Sequence, residues 1–251
     1  MSSDSFAFDL PGFAVEVLAQ IDSTNSELMR RARAGRLEPV LLVAEQQTAG
    51  RGRLGRQWFS EQALTFSIGM PLSPQDWSGL SLAVGLCVAQ SLHPELQLKW
   101  PNDVWWQGRK LAGILIETAT WGVSRTTRYV VVGVGINIQQ PVATGLATPA
   151  AWLGELLAGV VPAQALQRIA APLVQAMKAF EAHGFSPLQQ RFNQRDALAG
   201  VAVTLSDGTV GTALGVDSVG ALQVETTQGL KKISSAEVSV RTLPAPPYEL
   251  L

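Results

Sequence analysis

Val40-Leu-Leu-Val-Ala-Glu-Gln-Gln-Thr-Ala-Gly-Arg-Gly-Arg-Leu-Gly-Arg-Gln-Trp58 is the decisive stretch, and Leu64-Thr-Phe-Ser-Ile-Gly-Met70 follows close behind it. The apolar run Val40 to Ala44 predicts a compact strand, and Leu64 to Met70 predicts another. From Gln46 to Trp58 stand three arginines, three glycines and no acidic residue. Glycine lets the main chain approach a ligand closely and turn successive N–H groups toward oxygens. Arginine adds permanent charge and a forked donor array. The composition therefore predicts a loop, anchored by a strand at each end, that closes over an anion.

Working outward, Val15 to Leu18 predicts a short strand. Asp22-Ser-Thr-Asn-Ser-Glu27 follows it, with Thr24 and Glu27 at capping-box spacing, and opens a helix that stops near Gly35. Ser23, Thr24 and Asn25 thus occupy a strand-to-helix junction. Downstream, Asp76 to Leu92 has helical length and Leu96 to Trp100 returns as a strand that delivers Lys99-Trp-Pro-Asn-Asp103. Gln-Gly-Arg, between Trp106 and Lys110, reads as a hairpin turn. Leu111 to Thr118 and Arg128 to Val134 predict strands, the second running into Gly133-Val-Gly-Ile-Asn137. Helices are expected around Ala150 to Ala158, Pro162 to Ala182 and Pro187 to Asp196. Past Gly200 the texture becomes short and β-rich, over 201–205, 209–216, 222–226, 230–233 and 236–241, which suggests a small all-β barrel. The expected division is 12–197 for the larger domain and 198–243 for the smaller.

Composition excludes several classes. A formal net charge of −1 gives no global drive toward nucleic acid or acidic membranes, so an anion must be captured by local charge. No apolar run reaches the roughly 18 residues of a spanning helix, and Asp4 and Asp9 sit where a signal peptide would be basic and then apolar; a cytoplasmic protein is expected. Cys87 is the single cysteine, which rules out an internal disulfide and a cysteine-clustered zinc site; its apolar surroundings predict a packing thiol. His93 and His183 fall near helix ends without a serine nucleophile or a metal partner beside them. No P-loop occurs, and Gly133-Val-Gly lacks the third glycine of a dinucleotide fingerprint.

What remains is a set of polar groups at strand ends: Ser23-Thr24-Asn25, the loop Gln47 to Trp58, Lys99 to Asp103, Lys110, and Gly133 to Asn137. Such ends commonly line one crevice. Neutral hydrogen-bonding groups, fixed cations, an isolated lysine and a carboxylate suit a polar neutral ligand with an acid tail beside a nucleotide triphosphate.

These residues resemble the biotin protein ligase family. The matching blocks are Asp22-Ser-Thr-Asn25, Gln47-x-x-Gly-Arg-Gly-Arg-x-Gly-Arg56 with Trp58, Lys99-Trp-Pro-Asn-Asp103, Arg109-Lys-Leu-Ala-Gly-Ile-Leu-x-Glu117 and Gly133-x-Gly-Ile-Asn137, in the family's order over roughly residues 20 to 140. Leu54 stands where one family variant often has arginine. The resemblance implies an α+β fold: a mixed β-sheet flanked by helices, of the class II synthetase or biotin-lipoate ligase kind, with a small C-terminal SH3-like β-barrel. It implies that biotin and ATP form biotinyl-5′-AMP and pyrophosphate, with Mg²⁺, and that a lysine of a biotin carboxyl carrier protein then takes the biotin. That acceptor would belong to acetyl-CoA carboxylase or another biotin-dependent carboxylase. About a dozen residues precede the catalytic domain, so the resemblance is to the monofunctional class, with no DNA binding and no membrane partner expected. Family members differ in assembly, which leaves a homodimer open.

Carried over residue by residue, the resemblance gives Lys110, Arg53 and Asp103 catalytic roles. Lys110 would neutralise the biotin carboxylate and the α-phosphate. Ser23, Thr24, Asn25 and Gln47 would meet the ureido ring, with Gly113, Gly133 and Gly135 permitting close approach. Arg51, Gly52 and Arg53 would fold over biotin and phosphates, and Arg56 would meet phosphate. Trp58, Asn102, Asn137 and Trp152 would complete the nucleotide site, and Asn102 or Asp103 would carry the metal contact. The Leu111 to Leu115 strand and Trp100 would wall the valeryl chain. Two rivals remain. A lipoate ligase shares the fold and strategy but typically bears an Arg-Arg-x-x-Gly-Gly-Gly block absent here; a nucleic-acid binder could use the Arg/Gly loop alone.

Overall fold

Strands β3 (Ala63–Leu72) and β7 (Arg128–Asn137) are buried along nearly their whole length, which places them at the centre of a sheet covered on both faces. The computed structural model describes residues 6, 8–59, 61–120, 126–141, 148–234 and 240–242. With β1 (Ala14–Ile21), β2 (Val40–Gln47), β4 (Gln97–Lys99), β5 (Asp103–Trp106) and β6 (Arg109–Ala119) they form a seven-stranded sheet in the order β1-β2-β3-β7-β6-β5-β4. Only β1 and β2 pair in parallel, because α1 (Thr24–Arg33) crosses between them; the other neighbours are antiparallel.

The alternation within β2 shows how the sheet is sandwiched. Leu41 and Val43 belong to the core under α2 (Leu80–Leu92) and α3 (Pro162–His183), whereas Val40 and Leu42 pack with Leu28 and Met29 of α1. With only ten residues, α1 covers one end of its face. On the remainder, register aligns Asp103, Gly113, Gly135 and Thr65 across β5, β6, β7 and β3, and Leu115, Gly133 and Ser67 in the next row. Three glycines in adjacent positions leave a depression in the middle of a sheet, walled by polar side chains.

Residues 202–242 contribute a five-stranded antiparallel sheet, β11-β10-β9-β8-β12, made of β8 (Ala202–Leu205), β9 (Val210–Val216), β10 (Leu222–Thr226), β11 (Gly229–Ile233) and β12 (Val240–Thr242). The expected fifth strand over 236–241 falls largely on residues outside those described. This sheet is tied to the larger one by Trp100 Nε1 donating to Gly220 O at 3.1 Å, and by Asn193 of α4 (Gln189–Asn193), whose amide bonds both ends of Val216. Gly220, at φ 83°, packs against Leu82 and the backbone of Gly79, an approach that leaves little room for a Cβ.

Several local expectations are corrected. Ser23, not Thr24, caps α1, its Oγ accepting from Ser26 N, while Glu27 pairs instead with Arg30 and Arg31. The helix expected from Asp76 begins at Leu80, because Asp76 Oδ1 takes Ser78 N–H in a side-chain turn and Gly79 adopts φ 81°. Around Ala150 to Ala158 there is only a 3-10 turn, Leu153–Glu155, and the helix from Pro187 shrinks to α4 behind a second such turn. Gln107 and Gly108, both at positive φ, make the two-residue turn of the β5–β6 hairpin.

Candidate active site

A cavity of about 140 Å³ opens over the glycine depression. Its floor comes from the start of α1. Thr24 N and Oγ1 reach Gln47 Oε1 at 2.8 and 3.1 Å, and Ser67 Oγ lies 2.7 Å from both Thr24 Oγ1 and Asn25 Oδ1. Two hydroxyl protons serve these three side-chain contacts, so the set can rearrange when a ligand brings its own donors and acceptors. Gly133 is bare because Asn25 occupies the space its Cβ would need.

The opposite wall is the β5–β6 hairpin. Register sets Lys110 across from Trp105 beside the Asp103–Gly113 pair, and Lys110 Nζ forms an ion pair with Asp103 Oδ1 at 2.7 Å. Asn102 is fixed by its amide donating to Ile114 O at 2.9 Å, and its Oδ1 accepts from Arg53 at 3.5 Å. Lys99 stacks on Trp105; burial holds its ammonium below the ordinary lysine range, with Lys110 and Arg56 adding repulsion against the attraction of Asp103. Arg53 is likewise pushed down, by burial first and then by Arg56, opposed by Asp103. Three cations, Lys110, Lys99 and Arg53, thus face the Asp103 carboxylate, and Arg56 adds a fourth positive charge that repels two of them. Such a surplus stabilises incoming negative charge.

The arginine loop roofs the cavity. Gly52 N–H bonds Arg56 O, Trp58 N–H bonds Gly50 O, and Arg51 bridges to Gln57, making a small hairpin whose tip, Leu54, is 58% exposed at φ 55°. Trp58 lies on Gly135 and Gly113, with Lys110 Nζ 5.8 Å from its ring. Among the described residues Trp58 Nε1 has no hydrogen-bond partner although it is buried. A buried donor left unpaired beside such a cavity is costly in isolation.

Ser23, Thr24, Asn25, Gln47, Arg51 and Gly52 are brought to this cavity, as are Arg53, Arg56, Trp58, Asn102, Asp103 and Lys110 with Gly113, Gly133 and Gly135. Arg51 points sideways, into an ion pair with Glu117 at 3.0 Å. Asn137 and Trp152 lie outside the lining. Asn137 donates to Lys110 O and Ala151 O, pinning the 149–152 segment to the lysine strand, and Trp152 stacks on Arg109, which Glu155 grips through both carboxylate oxygens. Trp100 is fully buried against the C-terminal sheet and forms no cavity wall, whereas Ile114 and Leu115 do. Sequence reasoning overlooked Thr65 and Ser67. Their signal was two hydroxyls two residues apart inside an otherwise apolar strand, both facing α1's side.

Residues 17–137 match the Biotin/lipoate A/B protein ligase family, and residues 200–241 match the Biotin protein ligase C terminal domain. The chain is 34% identical to the bifunctional ligase/repressor BirA of Escherichia coli, over 93% of its own length and 76% of that protein's. The chain belongs to the biotin protein ligase family. It is also 31% identical to the biotin-[acetyl-CoA-carboxylase] ligase of Paracoccus denitrificans, over 88% of this chain and 98% of that one. In structure it is similar to the biotin protein ligase of Aquifex aeolicus solved with biotin and ATP, with a TM-score of 0.78, 30% identity, and coverage of 92% of this chain and 99% of that one. Among the described residues no helix is long and apolar enough to cross a membrane.

Proposed function

We propose that the chain activates biotin with ATP and transfers it to a lysine of a biotin carboxyl carrier protein, with the chemistry centred on Lys110. The observation that carries this reading is the convergence of Lys110, Arg53 and Arg56 on a cavity whose far side is neutral and hydrogen-bonding, with Lys99 adding positive charge behind Asp103. A carboxylate is a poor electrophile because its leaving group would be oxide. In the first step a biotin carboxylate oxygen attacks the α-phosphorus, and the bond to the β-phosphate oxygen breaks to release pyrophosphate. Two unit charges about 4 Å apart repel by about 4 kcal/mol at an effective dielectric constant near 20. Lys110, released from Asp103 toward the anions, and Arg53 above it offset that repulsion.

In the second step the acceptor amine attacks the anhydride carbonyl, the bond to AMP breaks, and an amide forms. Asp103, freed as Lys110 turns to phosphate, accepts the amine's proton. Thr24, Ser23, Gln47 and Asn25 bind the ureido ring, Ile114 and Leu115 line the valeryl chain, and the arginine loop excludes water from the adenylate. Asn137 and Trp152 belong to the adenine side.

Mg²⁺ fits this donor set as a partner of ATP. Among the described residues no group of three or more His, Cys, Asp or Glu could cage a metal ion, but Asn102 and Asp103 offer adjacent oxygens at the cavity wall. That suits an ion carried on phosphates that takes one or two protein ligands. When bound it draws charge from the phosphate oxygens.

The catalytic domain spans 12–197 and the smaller domain 198–243, and the reaction runs in the cytoplasm, where ATP is at hand. Incubation with labelled biotin, Mg-ATP and a biotin carboxyl carrier domain tests the reading. Labelled carrier is expected, with none from lipoate. Transfer of lipoate alone would favour a lipoate ligase, and nucleic-acid retention without transfer would favour a binding protein.

A further inference from the structure

The carboxylate of Glu117, near the end of β6, is held from two sides. Arg51 of the loop donates to Oε1 at 3.0 Å and Oε2 at 3.3 Å, and the same guanidinium reaches Ser26 Oγ at 3.2 Å. Asn25 donates to Oε2 at 3.0 Å. Asn25 Oδ1 accepts from Ser67, whose hydroxyl also meets Thr24, which meets Gln47. A hydrogen-bonded circuit therefore leaves the loop at Arg51, passes beneath the cavity, and returns to the loop at Gln47.

We propose that Glu117 is a positioning residue that latches the arginine lid and couples its closure to the side chains beneath biotin. This rests on reading the loop as a lid over biotinyl-5′-AMP. Glu117 is fixed by its strand, so it supplies the static half of the latch. Arg51 is half exposed and supplies the half that lets go. An exposed ion pair contributes little by itself, which is what a lid that must open at each turnover requires. Through Asn25, a ligand that orders Ser67 and Thr24 also fixes the carboxylate that Arg51 grips. Loss of the latch is expected to shift the lid equilibrium by about fivefold, the upper range for such a pair.

Limited trypsin digestion of the ligand-free full chain tests this without any assumption about the chemistry. Cleavage after Arg53 and Arg56 is expected to run about fivefold faster in Glu117→Gln and Glu117→Ala. It should return to within twofold of wild type in the swapped Arg51→Glu/Glu117→Arg pair. With biotin and Mg-ATP, Glu117→Gln is expected to release adenylate about fivefold faster while pyrophosphate release stays within twofold, a split that general loss of structure would not give. Unchanged cleavage in both single variants, or faster cleavage that comes with a lowered thermal midpoint and is not corrected by the swap, overturns the proposal. If wild type formed no adenylate, the functional reading would fail while the digestion result still judged the latch.

Discussion

The β5–β6 hairpin and the arginine loop bring the same kind of charge to one cavity, yet they are held in opposite ways. The hairpin is paired along both edges, and Trp100 before it is fully buried and bonded to Gly220 O. Pro101 O accepts from Ser81, and Asn102 is tied to Ile114. The loop is held by a few backbone bonds, the half-exposed Arg51–Glu117 ion pair, long side-chain hydrogen bonds from Arg51 to Ser26 and from Arg53 to Asn102, and an indole resting on glycines. Groups that must neutralise charge at the instant of reaction gain from being fixed beforehand, since no reorganisation is then needed. Groups that retain an intermediate must also release it, so they are held by contacts that cost little to break.

Four substitutions can break or sharpen this contrast. Lys110→Ala removes the cation paired with Asp103 and leaves a carboxylate facing incoming anions; pyrophosphate release in a single turnover is expected to fall by about 10³-fold, roughly 4 kcal/mol. Stability should change far less, and a matching loss of folded protein would mean that the lysine is structural.

Asp196 tests the support behind the hairpin. It sits where the 195–197 segment pairs with Leu98 on the outer edge of β4, its Oδ1 accepting from Leu198 N–H, and burial pushes its carboxyl up to about 6. The ordinary value is about 4, so between these limits the native state binds the extra proton and stability falls as pH rises. The fall amounts to on the order of 3 kcal/mol at about 1.4 kcal/mol per unit. Asp196→Asn keeps an acceptor for Leu198 and should abolish that loss; urea midpoints at pH 4 and 7 report it. An identical pH response in the variant would show that the carboxyl is not the cause.

Trp100→Phe preserves an aromatic ring but strands Gly220 O, at a cost of about 1–3 kcal/mol. It should lower the thermal midpoint and the adenylation rate together, because the residues after it carry Asn102 and Asp103. A lowered midpoint with an unaltered rate would uncouple the C-terminal sheet from the site. Arg53→Gly removes the second cation set against the anions, so it is expected to slow adenylation less than Lys110→Ala does and to weaken retention more, with about tenfold faster escape of adenylate and labelling of unrelated lysines. Retention equal to wild type would contradict the role given to the lid.

Much of this was legible in the sequence because it was carried by local chemistry. The Gly/Arg loop between two apolar runs, the Gln-Gly turn before Arg109 and Lys110, and the β-rich texture past Gly200 each announce themselves within a dozen residues. What stayed hidden depends on register. Nothing local says that Gly113 and Gly135 are neighbours, or that Gly133 is bare to admit Asn25 and Gly135 to admit Trp58. Arg51 lines the cavity, but its ion pair with Glu117 was hidden because that partner lies far along the chain on another strand. Trp100 read as a cavity wall because alternation cannot tell which of two buried faces a residue joins, and here a second domain claims it.

The most direct test is a crystal structure with a non-hydrolysable biotinyl-5′-AMP analogue. Lys110 Nζ should have left Asp103 for the bridging acyl-phosphate oxygens, with Arg53 above them and Thr24 and Gln47 on the ureido ring. A bound analogue with Lys110 still paired to Asp103 and the loop turned away from the phosphate would contradict the account.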